Sequence, residues 1–274
     1  MMRLINQKPS RTMRYALGAL PFALVLLVYS VASKLRQMDN PQDRMLPSLQ
    51  QMAAAVERMA FTPSKRTGEY TMWLDTVASL ERIGVGMLVS TLLALVIGIA
   101  MGAIPRLRAT LAPFVGAFSL IPPITVLPIL FIVFGLGETA KVALIVVGTA
   151  PVMMRTVAQA TADVPEELLV KVQTLGANSW QIVTRVFVPL VLPRLIGAIR
   201  MGLVPAWIFL VSAEAIAAEQ GLGYRIFLVR RYLAMDVILP YVAWITIIAY
   251  AVDRALYLLS RKGLRWAHGP GGAL

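Results

Sequence analysis

Long apolar stretches, broken by short polar clusters, dominate this chain. Crossing a bilayer takes roughly 20 mostly apolar residues in helical form. Six stretches are candidates: 15–33, 83–104, 111–134, 140–154, 186–218 and 237–260. The fourth is short, but Ala158 and Ala160 extend its apolar face. The pattern predicts an all-α integral membrane protein with six transmembrane helices. The first stretch reads as a retained span, because its apolar run of ~18 residues exceeds the usual signal-peptide core and no A-x-A-like site follows. Between the first two spans, 34–75 forms the longest polar segment, interrupted by Pro41, Pro47 and Pro63. Within it, Leu49, Met52, Ala53, Val56, Met59 and Ala60 recur at helical spacing, which predicts a short amphipathic helix over 48–61, read as a packing lid on the outer surface.

Composition narrows the class. Of 274 residues, 58% are hydrophobic and 15% charged, against ~45–50% and ~25% in an ordinary soluble domain. A soluble enzyme domain, a disordered chain and a fibrous protein are excluded. With no cysteine and the single histidine His268, disulfides, thiolate sites, two-histidine metal motifs and a histidine relay are excluded as well. No catalytic, metal or cofactor residue is expected.

The net charge of +12 takes its meaning from where the basic residues fall. Arg3, Lys8, Arg11 and Arg14 precede the first span; Arg106 and Arg108 lie in 105–110; Arg254, Arg261, Lys262 and Arg265 close the last span. By contrast, Lys34, Arg36, Arg44, Arg58, Lys65 and Arg66 in 34–75 are offset by Asp39, Asp43, Glu57, Glu69 and Asp75. Cytoplasmic loops collect Lys and Arg, so both termini are predicted inside. The charge is then topology, and nucleic acid is not an expected partner.

The segment between the fourth and fifth spans is the most informative. Asp163 and Glu166 stand at N-cap and N3 spacing, with Pro165 suited to a first helical turn. Leu168, Val172 and Leu175 follow at i, i+4 and i+7, making one apolar stripe. Gly176 with Ala177 then supplies a stop, and Asn178 or Ser179 a cap for a second helix leading through Pro189 and Pro193. The apolar face of this short helix needs a partner: lipid, another helix, or another protein.

At these residues the chain resembles the membrane subunits of bacterial ABC importers, closest to the nitrate/sulfonate/taurine-type permeases. The carrying motifs are Thr174-Leu175-Gly176-Ala177 followed by Val188-Pro189-Leu190-Val191-Leu192-Pro193; Ser79-Leu80-Glu81-Arg82 with Gly86, Gly98 and Gly102; Leu120-Ile121-Pro122-Pro123-Ile124 through Pro128; Phe134-Gly135-Leu136-Gly137-Glu138-Thr139-Ala140-Lys141; and Ala213-Glu214 followed by Gly221-Leu222-Gly223. The chain departs from the family at Val170-Lys171-Val172, where an acidic-Ala-Ala run is usual; the neighbouring Glu166 and Glu167 are the acids available to replace it. The resemblance covers 76–260. It implies a type I ABC importer (MetI-like) permease fold in the bacterial inner membrane. The chain then divides into 1–75 (tail, first span and outer segment), a permease core at 76–260 with a coupling helix near 163–177, and a cytoplasmic tail at 261–274. The His268–Gly272 end of that tail reads as disordered.

The same resemblance implies a second permease copy and cytoplasmic ATP-binding subunits docked at Pro165, Glu166, Glu167, Leu168, Val172, Leu175, Gly176 and Ala177. It also implies an extracytoplasmic solute-binding protein delivering a small anion-like solute such as nitrate, a sulfonate or taurine. The chain carries no G-x-x-x-x-G-K-[ST] phosphate loop, so ATP hydrolysis is expected elsewhere.

Charged residues and prolines inside apolar spans mark the translocation pathway. Arg200 and Glu214 lie among apolar neighbours in the fifth span, where ionisable groups are costly and point to function. Fourteen residues apart, they share a face but stand ~21 Å apart along it, too far to pair. Arg200 could also meet a neighbouring acid, and Glu214 could reach the outer interface. Asp253-Arg254 reads as an interfacial pair. Pro122, Pro123 and Pro128 bend the third span, as in cavity-lining broken helices. Gly98 and Gly102 read as a close-packing pair. Two competing classes remain: a secondary carrier or channel, disfavoured because the first, third and fourth spans lack ionisable residues at their centres, and an intramembrane enzyme, disfavoured by the scattered acids.

Overall fold

A computed structural model describes residues 10–40, 43–65 and 68–268. Arg3, Lys8, Pro41, Arg66 and the glycine-rich end beyond His268 lie outside the described residues. The described residues form helices and connecting turns with no strand. In chain order they are α1 Arg11–Asp39, α2 Leu49–Val56, α3 Thr71–Ala103, α4 Pro105–Phe118, α5 Pro123–Phe134, α6 Glu138–Ala162, α7 Glu166–Thr174, α8 Ser179–Ile182, α9 Val188–Ala217, α10 Leu222–Arg230 and α11 Met235–Gly263. Five helices are long and apolar enough to cross a membrane, and the α4–α5 pair makes a sixth if counted as one broken span.

The core is α3 against α6 and α6 against α9. Close approach explains the glycines of α3. A Cβ at Gly86 would lie 2.8 Å from Ile145, at Gly98 2.7 Å from Val157 and at Gly102 2.4 Å from Thr161, all on α6. Gly148 of α6 likewise admits the ring of Phe209 on α9. Helices in lipid gain little from excluding water, so backbone proximity and dispersion hold them together. Ser90 and Thr149 add a buried hydroxyl pair at 2.8 Å between α3 and α6.

The helix α1 stands apart, its apolar side chains exposed along its length. It is tied to the rest near one end, where the Tyr29 hydroxyl donates to the Pro47 carbonyl (2.7 Å) and Ser33 to the Leu46 carbonyl (3.0 Å). The amphipathic helix expected over 48–61 is α2 continued by a π-helical turn at Glu57–Phe61, started by a capping box between Ser48 and Gln51. Its Ala55, Val56 and Met59 face Met72, Val237 and Tyr241.

Two expectations are corrected. The second span begins at Thr71 rather than near 83. Its first turns carry Asp75, Thr76, Ser79 and Arg82, polar residues that hydropathy reads as loop but that are all buried inside the bundle. The third span is not one kinked helix: α4 and α5 meet at 97°. With 14 and 12 residues, ~21 and ~18 Å long, neither half spans a ~30 Å core. The fourth span runs the full 25 residues of α6, because Val157, Ala158, Ala160 and Thr161 continue its buried face.

Candidate functional site

At one end of the bundle, α7 and α8 form a helix-corner-helix. Glu166 and Glu167 in the first turn and Lys171 in the last complement the helix dipole. The chain leaves α7 by a Schellman turn: the Ala177 amide donates to the Val172 carbonyl (3.2 Å) and the Gly176 amide to Gln173 (2.9 Å). Gly176 sits at φ +82°, in the left-handed region that favours glycine. Asn178 then starts α8 through a reciprocal capping box with Gln181, both bonds 2.9 Å. The cap of α7 is Pro165, not Asp163. Asp163 instead accepts from Gln159 (2.7 Å) and from Arg194 of α9 (2.6 Å). That guanidinium holds its carboxyl below the usual aspartate range.

The expected single stripe on this segment is split in two. Leu168, Leu169 and Val172 pack with Ala177 against the core. Leu175 is 79% exposed and Trp180 72%, and Val170 is exposed as well. Leu175 is the C-terminal cap of the helix, about one turn beyond Val172. Pro165, Glu166, Glu167 and Gly176 are exposed on the same corner.

At the opposite end lies a buried polar cluster that the sequence reading located only at Glu214. Glu214 is 0% exposed. Its Oε1 accepts from the Ser79 hydroxyl and from Arg82 Nη1, each at 2.7 Å, and its Oε2 from the Gly223 amide at 2.8 Å. Arg82 also donates to the Gln220 carbonyl (2.8 Å) and grips both oxygens of Glu138, which Lys141 shares at 2.9 Å. Beside it, Asp75 accepts from the Gly221 amide (2.9 Å), Arg225 Nε (2.8 Å) and the Tyr241 hydroxyl (3.1 Å). Three carboxylates thus meet three cations, joining α3, α6, α9, α10 and α11. A cavity of about 1130 Å³ opens on Arg82, Glu138, Lys141, Tyr224 and Arg225. The glycines of Gly221-Leu222-Gly223 have a steric reason here. Gly221 has φ +131°, and a Cβ on it would lie 2.5 Å from Glu214 Oε1; one on Gly223 would lie 2.8 Å from the Val211 backbone. Asp75, Ser79 and Arg82 recur at i, i+4 and i+7, one polar face that could have been read from the chain.

Between the two ends sits the broken span. Pro122 and Pro123 form the 97° turn into α5, and Pro128 lies inside it, while Leu127 and Leu130 anchor α5 against α6 and α9. Arg155 of α6 donates to the Ser119 hydroxyl at the bend (3.0 Å). Arg200 forms a two-pronged pair with Asp253 of α11 (2.7 and 3.0 Å) and lies over the Tyr257 ring. Asp253 therefore pairs across helices with Arg200, whereas Arg254 lies over Tyr257. With Arg194 and Tyr257, Arg200 lines a cavity of about 390 Å³. Arg200, Glu214 and the prolines are not brought together at a single point.

Among solved structures, the fold is similar to a chain of an inward-facing MetNI methionine ABC transporter (26% identity, TM-score 0.58, 73% of this chain and 98% of that one). In sequence the chain is 38% identical over 200 residues to the taurine transport system permease protein TauC of Escherichia coli, covering 73% of this chain and 72% of that protein. It is 29% identical to a putative aliphatic sulfonates transport permease protein, SsuC of Bacillus subtilis, over 69% and 68% of the two chains. Residues 90–262 match the family described as binding-protein-dependent transport system inner membrane component. The chain belongs to that family: it is an inner-membrane permease subunit of an ABC importer, with the type I, MetI-like fold.

Proposed function

We propose that two copies of this chain form the pathway of an importer for small sulfonates of the taurine type, with both termini cytoplasmic. A separate ATPase docks on α7 and its corner, and an extracytoplasmic binding protein delivers solute to the end that carries Glu214 and Arg82. The observation that carries this reading is the α7 corner: a capped turn whose inner face is packed and whose outer face leaves Val170, Leu175 and Trp180 largely exposed among the described residues. Charge supports the orientation, since Arg106, Arg108, Arg261 and Lys262 all lie at the α7 end. The similarity to taurine and sulfonate permeases supports the substrate class.

Force applied to α7 has a short route into the bundle. Leu168, Leu169 and Val172 are wedged against the core, and Asp163–Arg194 ties the end of α6 to α9. Movement of α6 and α9 reaches α5, which packs on both. Pro122, Pro123, Pro128 and Arg200 are the proposed pathway contacts. Enclosed Glu214 acts on the pathway through Arg82 and Glu138, which line the neighbouring cavity.

The test is co-purification with an ATPase subunit from cells. Leu175→Asp changes an exposed side chain, for which surface substitutions cost within about 0.5 kcal/mol, so the permease should fold while losing the ATPase and ATP-driven uptake. Retention of the ATPase by L175D and Gly176→Val together, or uptake persisting in ATP-depleted vesicles under an ion gradient, would sink the proposal.

A further inference from the structure

Arg155 stands one position beyond the fourth apolar stretch, but α6 continues to Ala162. The residue therefore lies ~10 Å inside that end of the helix. With 25 residues, α6 is ~37 Å long against a ~30 Å hydrocarbon core, so in a centred helix Arg155 sits ~6 Å below the core's surface. A charge at that depth is costly without a partner. The other cations of the bundle have one: Arg82 meets Glu214, Lys141 Glu138, Arg200 Asp253 and Arg225 Asp75. Arg155 meets no carboxylate among the described residues. Its one hydrogen bond there goes to the Ser119 hydroxyl at 3.0 Å, which places the guanidinium at the α4–α5 break.

The break itself lies at membrane depth. The helix α5 has 12 residues, ~18 Å, and connects to the Glu138 end of α6 through Gly135–Gly137, so its start cannot reach the far surface of a ~30 Å core. Yet the chain there is uncovered: Leu120 is 80% exposed, and Ile121 and Pro122 are exposed too. Backbone outside a helix is tolerated at this depth only where protein covers it or water fills the space beside it. An uncovered break and an unpaired cation thus meet at one place. The first points to a water-filled cavity and the second to an anion within it.

We propose that Arg155 recognises the anionic group of the solute: its guanidinium, steadied by Ser119 at the break, donates to the sulfonate oxygens as the solute passes. This rests on the reading of the chain as a sulfonate permease. Ser119 spends its own proton on the Gly116 carbonyl (2.7 Å) and so accepts from Arg155. Of the five guanidinium N–H donors, one is used, and the rest are left for an oxyanion. Arg200 carries its own carboxylate in Asp253; Arg155 does not, so the solute supplies the missing charge.

The chain has no cysteine, so Arg155→Cys introduces a single thiol. The full chain with its ATPase is placed in vesicles and supplied with taurine-loaded binding protein. R155C should take up taurine about tenfold more slowly than the wild type or worse, the factor for losing a hydrogen bond to a charged group, while still retaining the ATPase. Methanethiosulfonates then attach a 2-aminoethyl or a 2-hydroxyethyl group to the thiol. The two adducts are alike in size and both can donate to Ser119, but only the first is cationic. The aminoethyl adduct should restore most of the uptake and the hydroxyethyl adduct none; the cysteine-free wild type, treated alike, controls for reaction elsewhere. The anionic 2-sulfonatoethyl reagent, which reacts from water, should label R155C, as read from the mass of the permease. Equal uptake after the two treatments would make Arg155 a prop for the bend, and a thiol that the anionic reagent does not reach would lie in lipid or under a second copy. Either result overturns the proposal, as does uptake by untreated R155C at the wild-type rate. A wild type that carries no taurine would refute the sulfonate reading itself, and this proposal with it, before any variant is compared.

Discussion

Arg82 is the residue whose loss should be felt most. Arg82→Ala leaves Glu214, which is fully enclosed, with only the Ser79 hydroxyl and the Gly223 amide as donors. Removing one member of a buried ion pair strands the other charge and costs about 3–5 kcal/mol. The other half of the interaction weighs little, because Glu138 is 61% exposed and an exposed pair contributes about 0–1 kcal/mol. At roughly 2–4 °C per kcal/mol for a chain of this size, Arg82→Ala should lower the thermal midpoint by roughly 10 °C, and Glu138→Gln by no more than about 4 °C. Arg82→Met combined with Glu214→Leu exchanges the pair for apolar side chains of similar bulk, which is often neutral, so much of the loss should return. The assay is thermal unfolding of detergent-purified permease followed by tryptophan emission. Equal losses for Arg82→Ala and Glu138→Gln, or a double variant as unstable as the sum of its parts, would refute the assignment of Arg82 to Glu214.

Gly102→Val places its Cβ against Thr161 and the Ala158 carbonyl and should destabilise by about 1–3 kcal/mol, whereas Gly116→Ala, with nothing within 4 Å, should leave the midpoint unchanged or raised; equal effects would contradict the α3–α6 contact. For Asp163, a carboxyl depressed by Arg194 contributes stability that is present above the unfolded aspartate value and is lost as pH falls through the lower folded one. The gap in thermal midpoint between the wild type and Asp163→Asn should therefore hold at neutral pH and close only below about pH 4. Arg200→Ala breaks a pair that is one-third exposed on both sides and should move stability by about 1 kcal/mol or less while lowering the uptake rate; unchanged uptake would remove Arg200 from the pathway.

Much of the helical corner at α7 was legible because its signals are local. Gly176 must adopt a positive φ, and Asn178 finds Gln181 three residues on, so neighbours within a turn or two decide the geometry. The misreadings have the same origin. Asp163 had the spacing of a cap, but the partner that holds it is Arg194, 31 residues away. Leu175 had the period of its stripe, but it sits where the helix ends. Asp75, Ser79 and Arg82 were assigned to a loop or a helix start, since hydropathy penalises polar residues without asking what they meet.

What the chain determined by itself is its solvent and where its apolar runs lie. Apolar runs of bilayer length are a property of consecutive residues, and the placement of Lys and Arg between them is read one loop at a time. Which charges neutralise one another is a different kind of fact. Glu214 lies 132 positions from Arg82, and Asp75 150 from Arg225. Those pairs exist because α3, α9 and α10 pack side by side, and that packing rests on glycines admitting neighbouring helices. The 97° break between α4 and α5 belongs with them: prolines permit a bend, but its angle is set by Leu127 and Leu130 seating on α6 and α9. Only the tertiary structure could turn scattered, individually costly charges into one neutral cluster, because a low-dielectric interior accepts a charge only beside its partner.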